Sequence, residues 1–159
     1  MAYTIFFSHN SDDIQWVKQI EHRLWQEGIK PYLFQTDPHP GKSVTKKIEN
    51  AIRDSDALVV LVTELGQDSK WLNAEVGYAK AAEVPIIPLV DENIEKPVIP
   101  FIGDSEYIKV DLENLEDALP VLVKDLIKRK YKKYLIIASV LGGLGYLAYR
   151  DKRKHDYPE

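Results

Sequence analysis

Ala57-Leu58-Val59-Val60-Leu61-Val62 is a run of six apolar residues with no polar residue between them. A strand with one wet face alternates polar and apolar side chains, whereas a strand covered on both faces does not. The run therefore predicts a central strand of a parallel sheet sandwiched between helices. Toward the C-terminus, a helix is predicted from Asp68 or Ser69 through Ala82. It is followed by a strand over Pro85-Ile86-Ile87-Pro88-Leu89-Val90, whose prolines are allowed only where the ladder needs no donor. Tyr107-Ile108-Lys109-Val110 reads as another strand, and a last helix starts near Asn114.

Toward the N-terminus, Ser43 is placed to cap a helix with Val44, Ile48, Ala51 and Ile52 on one face. Gln35 to Lys42 holds Pro38, Pro40 and Gly41 and must be a loop. Tyr32-Leu33-Phe34 reads as a strand. Ser11-Asp12-Asp13 offers caps for a helix with Ile14, Val17, Ile20, Leu24 and Trp25 on one stripe, ended by Gly28, and Thr4-Ile5-Phe6-Phe7 is the first strand. Strands and helices alternating every roughly 25–30 residues make βαβ units, hence a parallel sheet with helices on both faces. Ligands of such sheets sit beyond the carboxyl ends of the strands, where strand order reverses. The loops after Phe7, Phe34 and Val62 are the candidate site.

Composition agrees with one domain and a short appendage: 159 residues, 45 % hydrophobic and 29 % charged, which rules out wholesale disorder. The absence of cysteine removes disulfides, thiolate nucleophiles and cysteine–zinc sites. A net charge of −4 argues against nucleic acid as a partner. The charge is uneven, however. Residues 128–159 carry nine Lys/Arg and three Asp/Glu, so the tail is basic and the body acidic.

Within that tail, the basic segment 128–133 precedes sixteen uncharged residues, 134–149, and a short basic end, 150–159. As a helix the uncharged run is about 24 Å long, slightly under a hydrocarbon core of about 30 Å. Snorkelling Lys and Arg, with Tyr134 and Tyr149 at the interfaces, make a short transmembrane helix the expectation. Packing of a C-terminal helix on its own domain is the alternative. Small residues four apart (Ala138 and Gly142, Ser139 and Gly143) would let two such helices approach closely. Met1-Ala2-Tyr3 runs straight into a strand, so no signal peptide is visible, and a C-terminal anchor is expected to leave residues 1–127 in the cytoplasm, tethered to the cell membrane.

Several chemistries are excluded. Gly41-Lys42-Ser43 ends like a phosphate-binding loop, but Thr36 stands where that motif needs glycine, and Pro38 and Pro40 remove backbone donors. Val62-Thr63 closes the central strand where a phosphorelay domain needs aspartate. His9, His22, His39 and His155 lack metal-ligand spacing, so no metal site is expected. Ser8 and His9 are adjacent on a strand exit, point to different sides, and have no third group to make a triad.

What remains is Ser69-Lys70-Trp71-Leu72-Asn73-Ala74-Glu75-Val76-Gly77-Tyr78. Trp71 and Glu75 are i, i+4 on the helix that follows the central strand, so they share a face bordering the crevice. Spacing alone leaves open whether Trp71 is core and Glu75 a solvated charge. Read together, Ile5-Phe6-Phe7-Ser8-His9-Asn10-Ser11-Asp12-Asp13, the loop Asp37-Pro38-His39-Pro40-Gly41-Lys42-Ser43 and Trp71-Leu72-Asn73-Ala74-Glu75 resemble, in order, the first strand and turn, the BB loop and the tryptophan–glutamate helix of TIR (Toll/interleukin-1 receptor) domains of the bacterial and archaeal type. The likeness covers about residues 3–127.

The resemblance implies a flavodoxin-like α/β fold with five parallel strands. It also implies either cleavage of NAD at the nicotinamide–ribose bond, with ADP-ribose or a cyclic isomer as product, or a scaffold that assembles through the BB loop without chemistry. In enzymatic members the catalytic residue is the glutamate matched by Glu75. NAD enters as substrate, no cofactor is implied, and partners are other TIR domains. Such proteins often serve antiphage defence, as in Thoeris systems. Phe7, Ser8 and His9 leave the first strand near the crevice and are candidates to touch nicotinamide or its ribose. Which of Phe6 and Phe7 is core stays open. Asp37 and Lys42 are candidates for contact with ligand or a neighbouring TIR domain, Lys42 with a pyrophosphate. Trp71 is expected to pack beside Glu75 and shape the pocket wall.

Overall fold

In the computed structural model, which describes residues 2–34, 43–66, 68–95, 97 and 106–155, the apolar run Ala57–Val62 is strand β3, with every residue wholly buried. β1 (Tyr3–Ser8) lies on one side of it and β4 (Ile86–Asp91) on the other. β2 (Ile29–Tyr32) pairs with β1, and β5 (Ile108–Val110) pairs with β4, so five parallel strands stand in the order β2-β1-β3-β4-β5. This is the order of flavodoxin-like sheets, in which the chain reverses direction of growth between β1 and β3. Pro31 sits on the β2 edge. Pro88 precedes the part of β4 that pairs with β5, whose register begins at Leu89 opposite Ile108. Both prolines thus fall where a missing donor is tolerated.

The described residues also form four α-helices: α1 (Ile14–Gln26), α2 (Val44–Arg53), α3 (Lys70–Ala81) and α4 (Leu115–His155). Ile48 and Ile52 of α2, with Leu72, Val76 and Ala79 of α3, pack on Phe6, Leu58, Val60, Val62 and Val90 of the sheet. Ala57, Val59 and Leu61 point to the opposite face by the strand period of two and are equally buried. That double coverage explains why β3 has no polar residue.

Asp13 stands at the N-cap of α1, as expected, but makes no side-chain cap bond, and Ser43 likewise stands at the N-cap of α2 without one. The capping side chain after β1 belongs to Asn10. Its side chain accepts a hydrogen bond from the Asp12 N–H at 3.0 Å, and a 3-10 turn, Ser11–Asp13, leads into α1. Val17, Ile20 and Leu24 form the buried stripe of α1, but Trp25, expected there, is 50 % exposed. Gly28 ends the helix in the left-handed conformation at φ 65°, the role glycine fills without steric cost. β2 begins immediately after it, so the strand expected at Tyr32–Phe34 is shifted toward the N-terminus, with Leu33 and Phe34 beyond its end.

The expected transmembrane helix is overturned. Among the described residues no helix is long and apolar enough to cross a membrane. The sixteen uncharged residues 134–149 belong to α4, which continues through the basic residues on both sides. Any longer window must therefore take in charge, and glycines, a serine and three tyrosines dilute the run itself. The chain divides into two units, residues 1–124, which hold the whole sheet, and residues 125–159. In the second unit Arg129 pairs with Asp125 one turn away at 2.6 Å, and Leu135, Ile136, Val140, Leu141 and Leu144 are exposed.

Candidate functional site

A cavity of about 410 Å³ opens at the carboxyl end of β1, where strand order reverses. The end of β1 and the turn after it contribute Phe6, Phe7, Ser8, His9, Asn10 and Ser11. Phe34 lies beyond β2, Val44 and Ile48 come from α2, and Ser69, Trp71 and Glu75 from the start of α3. The lining is mostly apolar and aromatic with a few convergent polar groups, the usual make-up of a small-molecule site.

Local folding places each group. β1 buries both Phe6 and Phe7, so the choice between them dissolves: each is core, and each lines the cavity. Phe6 packs on Tyr32 with ring centroids 5.7 Å apart. The His9 ring stands edge-on to Phe7 at 6.1 Å, and its Nδ1 lies 3.2 Å from the Phe7 carbonyl oxygen. Ser69 caps α3, its hydroxyl accepting from the Leu72 N–H at 3.4 Å. From that fixed start, Trp71 and Glu75 follow on one face, one turn apart.

The polar centre is Glu75. It is partly buried, and Ser8 Oγ donates a short hydrogen bond to its Oε2. Burial among aromatic and aliphatic side chains pushes its carboxyl up to about 7, and the Ser8 hydroxyl partly offsets that by favouring the charged form. A carboxyl poised near neutrality can serve as an anionic stabiliser above that pH and as a proton donor below it. Among the described residues no cation lines the cavity, and no cluster of three His, Cys, Asp or Glu could hold a metal ion.

The structure brings together five of the seven residues singled out from sequence: Phe7, Ser8, His9, Trp71 and Glu75. Asp37 and Lys42 lie outside the described residues. Trp71 is not core; it is 59 % exposed and stands on the cavity wall. Asn10, Ser11 and Ser69 fall in the expected loops after Phe7 and Val62 without having been singled out, and Phe6, Phe34, Val44 and Ile48 were not anticipated as lining. Val44 reads as a core position by helical spacing but is the first residue of α2, where the helix overhangs the crevice. Ser69 was legible as a cap, and a cap at the carboxyl end of the sheet is by position a candidate lining residue.

The family model for the TIR domain matches residues 5–123. The chain is 29 % identical over 140 residues to a protein of the archaeon Methanobrevibacter olleyae named a probable 2′ cyclic ADP-D-ribose synthase, TcpO, covering 87 % of this chain and 38 % of that protein. It is 27 % identical over 122 residues to BdTIR of Brachypodium distachyon, also named a probable 2′ cyclic ADP-D-ribose synthase, covering 74 % of this chain and 54 % of that one. The chain thus spans about half or less of the length of these relatives. Among solved structures, the TIR domain of the Toll-related receptor TRR-2 from Hydra magnipapillata superposes with a TM-score of 0.64 at 19 % identity, over 77 % of this chain and 96 % of that one, a likeness of fold.

Proposed function

Because the chain belongs to the TIR domain family, we propose that it breaks the bond between nicotinamide and ribose in NAD and closes the remainder into a cyclic ADP-ribose isomer. The single observation that carries this reading is the Glu75 carboxyl, held by Ser8 on the wall of an apolar cavity at the reversal point of the sheet. Nicotinamide leaves from its pyridinium form with the bonding electron pair, as a neutral molecule, so no general acid is needed. Positive charge then develops at the anomeric carbon. An ionised Glu75 hydrogen-bonded to the ribose hydroxyls steadies that oxocarbenium-like state, and its low-dielectric surroundings strengthen the effect. Ser8 orients the carboxylate. Phe6, Phe7 and Phe34 supply an apolar wall, and capture of the anomeric carbon by a hydroxyl of the ligand's own second ribose, which gives its proton to solvent as the new C–O bond forms, closes the ring. The names of the two curated relatives support a cyclic product.

The test is incubation of the full chain with NAD, with nicotinamide quantified by chromatography and the nucleotide product by mass, which separates the cyclic species from its water adduct. Wild type is expected to release nicotinamide, and Glu75→Ala and Glu75→Gln to lose at least about a hundredfold in kcat, the scale of removing one transition-state charge partner. Equal turnover in Glu75→Gln would end this reading. Self-association with other TIR domains belongs to the same reading and is tested by whether turnover per molecule rises with protein concentration. A place in antiphage defence would show as plaque reduction that depends on Glu75.

A further inference from the structure

Behind the cavity wall, and not lining it, lies a buried polar pair. Asp13 closes the 3-10 turn after β1 and is wholly buried; Thr63 follows β3 and is almost so. Thr63 Oγ1 donates to Asp13 Oδ2 at 2.8 Å. The same hydroxyl oxygen accepts from the Gly66 N–H at 3.1 Å, and that N–H is shared with the Thr63 carbonyl at 3.0 Å. The Gly66 carbonyl in turn accepts from the Ser69 N–H at 2.9 Å, and Ser69 caps α3, the helix that carries Glu75. A second tie runs alongside, from Asn10 Nδ2 to the Leu65 carbonyl at 3.0 Å.

These bonds join the turn after β1, residues 8–13, to the described residues 63–66 and 68–69 that lead from β3 into α3. The joint is close-fitting: a Cβ on Gly66 would stand 3.3 Å from Thr63 Oγ1 and 3.7 Å from Asn10 Cβ. Asp13 is also a poor choice for stability alone. Its Oδ1 is buried without a hydrogen-bond partner, and burial raises its proton affinity although Thr63 and the nearby His9 oppose the shift, with Asp12 and Asp91 adding to it. A buried acceptor left unpaired costs free energy. Its remaining contribution is to position.

We propose that Asp13 and Thr63 are positioning residues for the reaction, fixing through Gly66 and Ser69 the start of α3 so that the Glu75 carboxyl stays seated on Ser8. Neither residue touches the cavity, and nothing in the Glu75 chemistry itself calls for them. Catalysis is sensitive to such placement, since a displacement of about 1 Å at a reacting group costs on the order of a hundredfold.

The kinetic arm rests on the NAD-cleaving reading, and a spectroscopic arm does not. Thr63→Val keeps the shape and removes the hydroxyl; Thr63→Ser keeps the hydroxyl. In the full chain, Thr63→Val is expected to lower kcat for NAD about tenfold or more with KM within about twofold, and Thr63→Ser to restore it. Independently of turnover, carbon-13 carboxyl titration is expected to show the Glu75 midpoint displaced from the wild-type value in Thr63→Val and returned in Thr63→Ser. Ser8 bonds that carboxyl, and His9 is the other ionisable group on the same wall among the described residues. If Thr63→Val does not fold, Gly66→Ala, which disturbs the joint without emptying a buried hydroxyl site, takes its place. A lower melting temperature with unchanged kcat and an unchanged Glu75 midpoint would overturn the proposal. Absence of turnover in wild type with a displaced Glu75 midpoint in the variant would instead remove the NAD reading and leave the positioning role standing.

Discussion

Glu75 holds its proton more tightly folded than unfolded, with its carboxyl at about 7 against 4.5 for the free side chain. A raised carboxyl contributes fully below the unfolded value, and the contribution is lost as pH rises through about 7. The shift corresponds to up to about 3 kcal/mol of stability given up above neutrality. Glu75→Gln stays neutral at every pH, so it is expected to melt higher than wild type at pH 8 and no higher at pH 4 by calorimetry. A gain in stability paired with a loss of turnover is the signature of a strained functional group. At this scale the sequence was informative about Trp71 and Glu75, which one helical turn puts on a common face. It was silent on the Ser8 contact, because 67 positions separate the two residues and only the sheet brings them together.

Helix ends show what an element's sequence does and does not reveal. Gly28 was legible as the end of α1, since only glycine adopts φ 65° freely. The end of α3 makes the same turn with Glu83 at φ 58°, its N–H bonded to the Lys80 carbonyl at 3.2 Å, and no residue type announces it. The two positions therefore respond in opposite senses. Gly28→Ala is expected to cost about 1 kcal/mol and Glu83→Gly to gain a few tenths to about 1 kcal/mol, measured by urea unfolding. Element boundaries were less legible than element types. A 3-10 turn with its own cap, Asn10, stands before α1, and β2 begins as soon as Gly28 releases the chain. In the tail, a short uncharged run between basic clusters, with snorkelling and interfacial tyrosines invoked to stretch it, was misread as a membrane span. What decides is the length of the run between the basic clusters, and sixteen residues do not reach.

For the whole molecule, strand alternation was enough to yield five parallel strands and the end of the sheet at which a site forms. The fold was therefore more legible than the wall of the cavity, which is assembled from loop residues whose contacts have no periodic signal. Every described residue lining the cavity precedes residue 124, within the unit that contains the sheet. On the proposed NAD cleavage, a chain ending at Ile127 is accordingly expected to match the full chain's nicotinamide release per molecule within about twofold and its melting temperature within a few degrees, the range of changes that leave a core intact. A loss of the sheet's cooperative unfolding in that shortened chain would contradict the division.

Trp71 stands at the mouth of the cavity, more than half in water, while Trp16 and Trp25 lie on α1. An indole so placed is a built-in optical reporter. A flat aromatic ring entering beside it displaces the water it now faces and alters its emission, so occupancy of the cavity can be followed by light, without a label and before any bond is broken.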